Sequence, residues 1–241
     1  MIVSQVWGFL TSSANYSGSS GIDDRLGQHV YYCLLALAWA LVIAVPLGAF
    51  IGHTGRGAKS ILGSATVLRA LPSLGVMYLL ATERGINLSA LIIPLVILAI
   101  PPVMLSTMAG VAGVDPDAVD AAKGMGMSGT QVLLRVELPN ALPVLFGGIR
   151  TAMLQLVATT AIAALITLEG LGQYIINGIA AQDYTQVVGG AVLIAALAVV
   201  ADLVLAGVQR LIISPGLRSN SDPRRSRIHF TRGPEPERTA A

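Results

Sequence analysis

Five stretches of this chain, at about 30–52, 60–82, 88–112, 141–167 and 187–212, are apolar over the roughly 20 residues that a helix needs to cross a bilayer. No other feature restricts the fold as strongly. In lipid every backbone N–H and C=O must be satisfied within the segment, which leaves helices as the solution for runs of this length. Composition agrees: of 241 residues, 54% are hydrophobic and 12% charged, with a mean hydropathy of +0.72. A water-soluble domain carries about 25% charged residues. The expected fold class is an all-α integral membrane protein with five spans. The second span is the least apolar, because Arg69 sits inside it. Pro46, Pro72, Pro94, Pro101 and Pro102 fall within spans, where neighbouring helices can satisfy the freed carbonyls and kinks are expected. The single cysteine, Cys33, lies in an apolar run and reads as a small buried residue; one cysteine permits neither a disulfide framework nor a metal spacing.

An odd number of spans puts the two ends on opposite sides, and the distribution of basic residues decides which. Arg56 and Lys59 follow the first span, Lys123 and Arg135 lie between the third and fourth, and Arg210, Arg218, Arg224, Arg225, Arg227, Arg232 and Arg238 follow the fifth. The other set of segments has only Arg25 and Arg84, balanced by Asp23, Asp24 and Glu83. The N-terminus is therefore expected outside and the C-terminus in the cytoplasm. Residues 1–28 read as an extracellular segment with a short interfacial helix carrying Trp7 and Phe9, residues 29–213 as the five-span domain, and residues 214–241 as a disordered basic cytoplasmic tail. The tail's basic cluster serves either as a topology signal or as a contact with anionic lipid. No internal repeat is visible.

Between the third and fourth spans lies the polar block "VDPDAVDAAKGMGMSGTQVLLRVELPNALPV", residues 114–144. Asp115 is suited to cap a helix, Pro116 to occupy its first position, and Asp117 and Asp120 to sit near its positive end. Val119, Ala122 and Met125 recur at helical spacing, and Gly124 and Gly126 permit a stop and a turn. Ser128 and Gln131 have the form of a capping box for a second short helix over about 129–137, with Val132, Leu133 and Val136 on one side. Pro139 is expected to end that helix.

In this block, Asp120, Ala121, Ala122, Gly126, Val136, Leu138 and Pro139 resemble in register the cytoplasmic signature of permease subunits of binding-protein-dependent ABC importers. That signature reads Glu-Ala-Ala, three residues, Gly, nine residues, Ile, one residue, Leu-Pro. This chain departs from it conservatively, with Asp120 for Glu and Val136 for Ile. "IGHTGRG", "LRALPSLGV" and "GLGQYI" are similar to the branch that transports osmoprotectants such as glycine betaine, choline, carnitine and proline betaine, and the resemblance covers about 25–212. It implies a type I importer permease core, methionine-permease-like, in a prokaryotic inner or plasma membrane. The first short helix becomes the coupling helix, in which Asp120, Ala121, Ala122, Lys123, Gly124 and Gly126 meet a cytoplasmic ATPase, while Leu138 and Pro139 fix the following helix against the spans. The implied partners are that ATPase, a second copy or sister permease, and an extracellular binding protein. No cofactor belongs to this chain; ATP and Mg would sit on the ATPase.

Other motifs are weaker. "GMGMSG", 124–129, fits a dinucleotide fingerprint but follows a helix rather than a strand, and "GHTGRGAKS", 52–60, departs from a phosphate loop at Ala58. His29, His53 and His229 are scattered and support no catalytic grouping. Gly48 and Gly52 have the spacing of a small-residue helix contact. Arg69, Arg150 and Asp202 are charges inside spans, where each costs roughly 2.5–3.5 kcal/mol at the bilayer centre on insertion scales. Asp202 is expected to pair with Arg69 or Arg150, the alternative being separate snorkelling to the interface. A quaternary ammonium is held by aromatic rings. Tyr31, Tyr32, Trp39, Tyr78 and Tyr174 are the aromatic residues within or near spans, and no cluster is visible among them. Tyr78, Gln155 and Thr159 are the candidates for lining a translocation path. The segment 169–186 reads as a partly re-entrant outer helix after the turn at Gly170 to Gly172. Two alternatives remain: an importer of amino acids such as proline or methionine, and an ATP-independent channel or secondary carrier, which would tolerate changes in the 120–126 helix.

Overall fold

The computed structural model describes residues 2–16, 18, 20–58, 63, 73–166 and 169–213. Most of the expected second span, with Arg69 and Pro72, lies outside them, as does the expected basic tail from 214. In chain order the helices are α1 (Ile2–Thr11), α2 (Ile22–Thr54), α3 (Ser73–Arg84), α4 (Leu88–Ala112), α5 (Pro116–Gly124), α6 (Gly129–Val132), α7 (Leu138–Ile162), α8 (Gly172–Ala181) and α9 (Tyr184–Ile212). No strand occurs among the described residues.

Among the described residues, four helical stretches are long and apolar enough to cross a membrane: α2, α4, the continuous run Gly129–Ile166 that contains α6 and α7, and α9. Their packing gives the topology. An added Cβ on Gly48 would meet the Met104 carbonyl at 2.6 Å, and one on Gly52 the Met108 carbonyl at 2.8 Å. Residues 48 and 52 of α2 thus advance with 104 and 108 of α4, so these helices run parallel. Between them in the chain, α3 packs against α4. α7 runs antiparallel to α4: Gly110 faces Ala141 and Gly148 faces Pro102 and Ser106. α9 runs antiparallel to α7, with Asp202 on Arg150 and Gln209 on the Pro143 carbonyl. Small residues at these seams let the backbones approach closely, the means by which helices associate in lipid.

α4 is apolar on every side because it lies between α2 and α7. Leu91, Leu95, Ala99 and Val103 on it are fully buried with Ala36, Ala40, Ala152, Leu156 and Val157. α9 is the opposite case. Only Gly189 and Gly190 on it are buried, while Val199, Val200, Leu203 and Val204 are exposed. An apolar outer face on a helix of this length fits an apolar solvent.

Two boundaries differ from expectation. α2 begins at Ile22, so the expected division at 28/29 falls inside a helix. Its 33 residues exceed a bilayer's need, and Asp23, Asp24, Arg25 and Gln28 make the first two turns polar. α1 also does more than lie on a surface. Trp7 is exposed, but the Phe9 ring meets Tyr174 of α8 edge-on at 5.7 Å and packs over Gly189 of α9. The helices continue through Pro46, Pro94, Pro101, Pro102 and Pro143.

Candidate functional site: the α5 block and its supports

The polar block folds as a capped handle at the end of the bundle where α2 and α4 terminate. The Asp115 carboxylate accepts from the Asp117 N–H at 3.0 Å, and Pro116 occupies the first turn of α5, where a missing N–H costs nothing. At the other end Gly126 N–H donates to the Lys123 carbonyl and Met127 N–H to the Ala122 carbonyl, a Schellman pair. Gly126 stands at φ +84°. This left-handed position costs an L-residue roughly 1–2 kcal/mol, and a β-branched one more. Gly126→Val is therefore expected to unwind the turn and lower thermal stability, while Gly126→Asn, which tolerates this region, stays near the parent. Thermal unfolding of the purified chain checks both, and equal stability of the two variants would refute the role of the turn.

Immediately after, Ser128 and Gln131 close a reciprocal capping box: Ser128 N–H donates to Gln131 Oε1 at 2.8 Å and Gln131 N–H to Ser128 Oγ at 3.4 Å. The expected stop at Pro139 does not occur. Leu133–Glu137 widens into a π turn that leads straight into α7, with Pro139 in the first turn of α7. A proline donates no hydrogen bond and its ring crowds the carbonyl four residues earlier. The wider i→i+5 ladder just before it accommodates both defects without breaking the rod. The second helix is therefore an extension of the expected fourth span at the end of the bundle where α5 lies.

This continuity joins the block to α7 without a break. Ala122 is 2% exposed and Val132 fully buried, while Asp120, Ala121, Lys123, Gly124 and Met125 face outward, Met125 at 77% exposure. Lys123 and Asp120 form a loose exposed ion pair at 3.7 Å, of little energetic consequence. Leu133 and Leu138 pack on Ala49, Val111 and Ala141, joining the block to α2, α4 and α7. Glu137, 6% exposed, bonds His53 Nδ1 at 2.6 Å and so ties the π turn to the end of α2. This contact spans 84 positions, and no local pattern marks either residue.

The remaining candidates separate. Arg150 makes a bidentate pair with Asp202, Nε to Oδ1 at 2.7 Å and Nη2 to Oδ2 at 2.6 Å. The alternative partner Arg69 lies outside the described residues. Tyr78 donates to the Leu165 carbonyl at 3.2 Å, near the end of the bundle opposite α5. Gln155 and Thr159 lie one turn apart on α7, both half-buried, and Gln155 Oε1 is buried without a hydrogen-bond partner. None of the three borders the recesses that the described residues form around Tyr174 and around Tyr31. His29, fully buried, instead links α2 to the Val157 carbonyl at 3.1 Å, and Cys33 lies 3.5 Å from Thr160 Oγ1. The segment after Gly170, itself at φ +134°, forms α8 against α9.

Comparison with known proteins agrees with this architecture. A chain of the MetNI methionine ABC transporter in an inward-facing crystal form superposes with a TM-score of 0.70, covering 80% of this chain and 96% of that one at 18% identity. Residues 44–218 match the family described as binding-protein-dependent transport system inner membrane component. This chain belongs to that family; it is a multi-pass permease subunit of an ABC importer, not an enzyme. Among curated relatives, the glycine betaine/carnitine/choline transport system permease protein OpuCB of Bacillus subtilis is 31% identical over 194 residues, covering 80% of this chain and 89% of the relative. The osmoprotectant import permease protein OsmW of Salmonella typhimurium is 35% identical over 196 residues, covering 79% and 91%.

Proposed function

We propose that this permease imports quaternary-ammonium osmoprotectants such as glycine betaine, choline or carnitine. The observation that carries the substrate class is the agreement of curated relatives at 31–35% identity, each aligned over most of its length, two named for glycine betaine, carnitine or choline and one for osmoprotectants. The fold likeness to a methionine transporter, at 18% identity, speaks only to architecture.

In this reading α5 is the coupling helix, and its outward face, Asp120, Ala121, Lys123, Gly124 and Met125, meets a separate ATPase that binds ATP and Mg. ATP-driven closure of two ATPases pulls the α5 handles of two permeases together. The rigid continuation from α6 through α7, tied to α2 by His53–Glu137, then rocks the spans. An extracellular binding protein delivers solute to the opposite end, where α8 lies. The surplus of arginine and lysine on the α5 side supports a cytoplasmic C-terminus and an outer N-terminus.

The test is uptake by vesicles holding this permease with the ATPase and binding protein encoded beside it. Labelled choline and glycine betaine are expected to accumulate only with ATP. Accumulation of methionine or proline instead, or uptake without the ATPase, would overturn the reading.

A further inference from the structure

We propose that a recess at the outer end of α2, walled by Tyr31 and Tyr32, binds the quaternary ammonium headgroup of the incoming solute. This rests on the substrate class proposed above and adds a site to it. Consecutive helical residues diverge by about 100°, so adjacent tyrosines in a sequence carry no expectation of a shared site. Here their ring centroids lie 5.9 Å apart with planes inclined at 59°. Both rings border one recess of about 470 Å³, completed by Gly27, Gln28 and Leu88 at the start of α4. Gly27 leaves space: a Cβ there would meet nothing within 4 Å.

The charge at this recess is of the right sign. Gln28 donates to Glu169 Oε2 at 2.6 Å and to Asp24 Oδ2 at 3.0 Å. Both donors of its amide are thus engaged with carboxylates, and its Oε1 remains buried without a hydrogen-bond partner. Glu169 is half-exposed and close enough to Tyr32 to act on it electrostatically. Its cationic contact among the described residues is Arg25 at 3.5 Å, which also acts on Tyr32 with the opposite sign, so that Glu169 and Asp24 place two carboxylates here against one guanidinium. A tetra-alkyl ammonium has no N–H to donate. It is recognised by ring faces, with a carboxylate and a carbonyl oxygen nearby as counter-charge and dipole, and this recess brings those groups together. The recess lies at the end of the bundle opposite α5, where a solute released by a binding protein enters.

The test uses the full permease–ATPase complex in lipid nanodiscs and measures binding of choline, of tetramethylammonium and of 3,3-dimethylbutan-1-ol, the uncharged carbon isostere of choline. Choline and tetramethylammonium are expected to bind, and the isostere at least roughly tenfold more weakly. Tyr31→Leu and Tyr32→Leu should each weaken choline binding roughly fivefold, the scale of one cation–π contact. Tyr→Phe at either position should stay within about twofold, because the ring remains. Glu169→Gln should weaken choline but not the isostere. Equal binding of choline and its isostere by the unaltered complex, no binding of either, or Leu variants that bind like the parent would overturn the site and leave the tyrosines as interfacial anchors. Uptake by the unaltered transporter separates this failure from that of the substrate class: import of choline or betaine with unaffected Leu variants removes only the recess, whereas absence of such import removes the class.

Discussion

Ala121→Trp is expected to abolish ATP-driven uptake while leaving the chain inserted, monodisperse and as heat-stable as the parent. Ala121 is exposed on α5 beside Asp120, Gly124 and Met125, and its methyl group faces outward. A large ring there has room in the isolated permease and none in a cleft that receives a small-residue face. Its neighbour supplies the internal comparison. Ala122 is 2% exposed, pressed toward the capped turn and the helix beyond it. Ala122→Leu overpacks that contact, at a cost of about 1–3 kcal/mol, and should lower both thermal stability and uptake. The two adjacent alanines therefore fail by different routes. Co-purification of the ATPase distinguishes them: Ala121→Trp loses the ATPase from an intact permease. An Ala121→Trp variant with normal uptake would refute docking on this face.

Asp202→Asn and Arg150→Met are each expected to lower the yield of folded permease several-fold, and the exchange Arg150→Asp with Asp202→Arg to restore most of it. The pair is bidentate, the strongest arrangement of these groups, and it joins the middles of α7 and α9. Breaking one half leaves the other charge facing an apolar surround. Replacing both, as Arg150→Met with Asp202→Leu, should be tolerated better than either single change. Fluorescence-detected size exclusion measures the yield. Undiminished single variants would show that the two charges are solvated separately and that the pair carries no structural load.

Much of this was legible from local pattern. The expected span 88–112 coincides with α4, because its ends are marked by an Asn87 cap and a terminal glycine. Asp115, Pro116, Gly126, Ser128 and Gln131 take the expected backbone roles, since each acts within six residues of itself. The stop at Pro139 was the natural local expectation and failed. The π turn that absorbs the proline is held by Leu133 packed on Ala49 and Val111 and by Glu137 bonded to His53, contacts that no window around residue 139 contains. His53–Glu137 and the choice of Arg150 for Asp202 depend on helices meeting across 84 and 52 positions.

By itself the sequence determined that this chain lives in a bilayer, where the spans that became α4 and α9 begin and end to within a turn, and that a capped small-residue helix lies between two of the spans. Hydropathy, capping and turn chemistry are short-range, and lipid removes most alternatives for the backbone. Only the tertiary structure decided that α6 and α7 form one rod, that α2 and α4 run parallel, and that Tyr31 and Tyr32 wall a common recess. Those depend on which small residues let two helices approach and on the rotation of each about its axis, and a periodicity shared by several faces does not specify either.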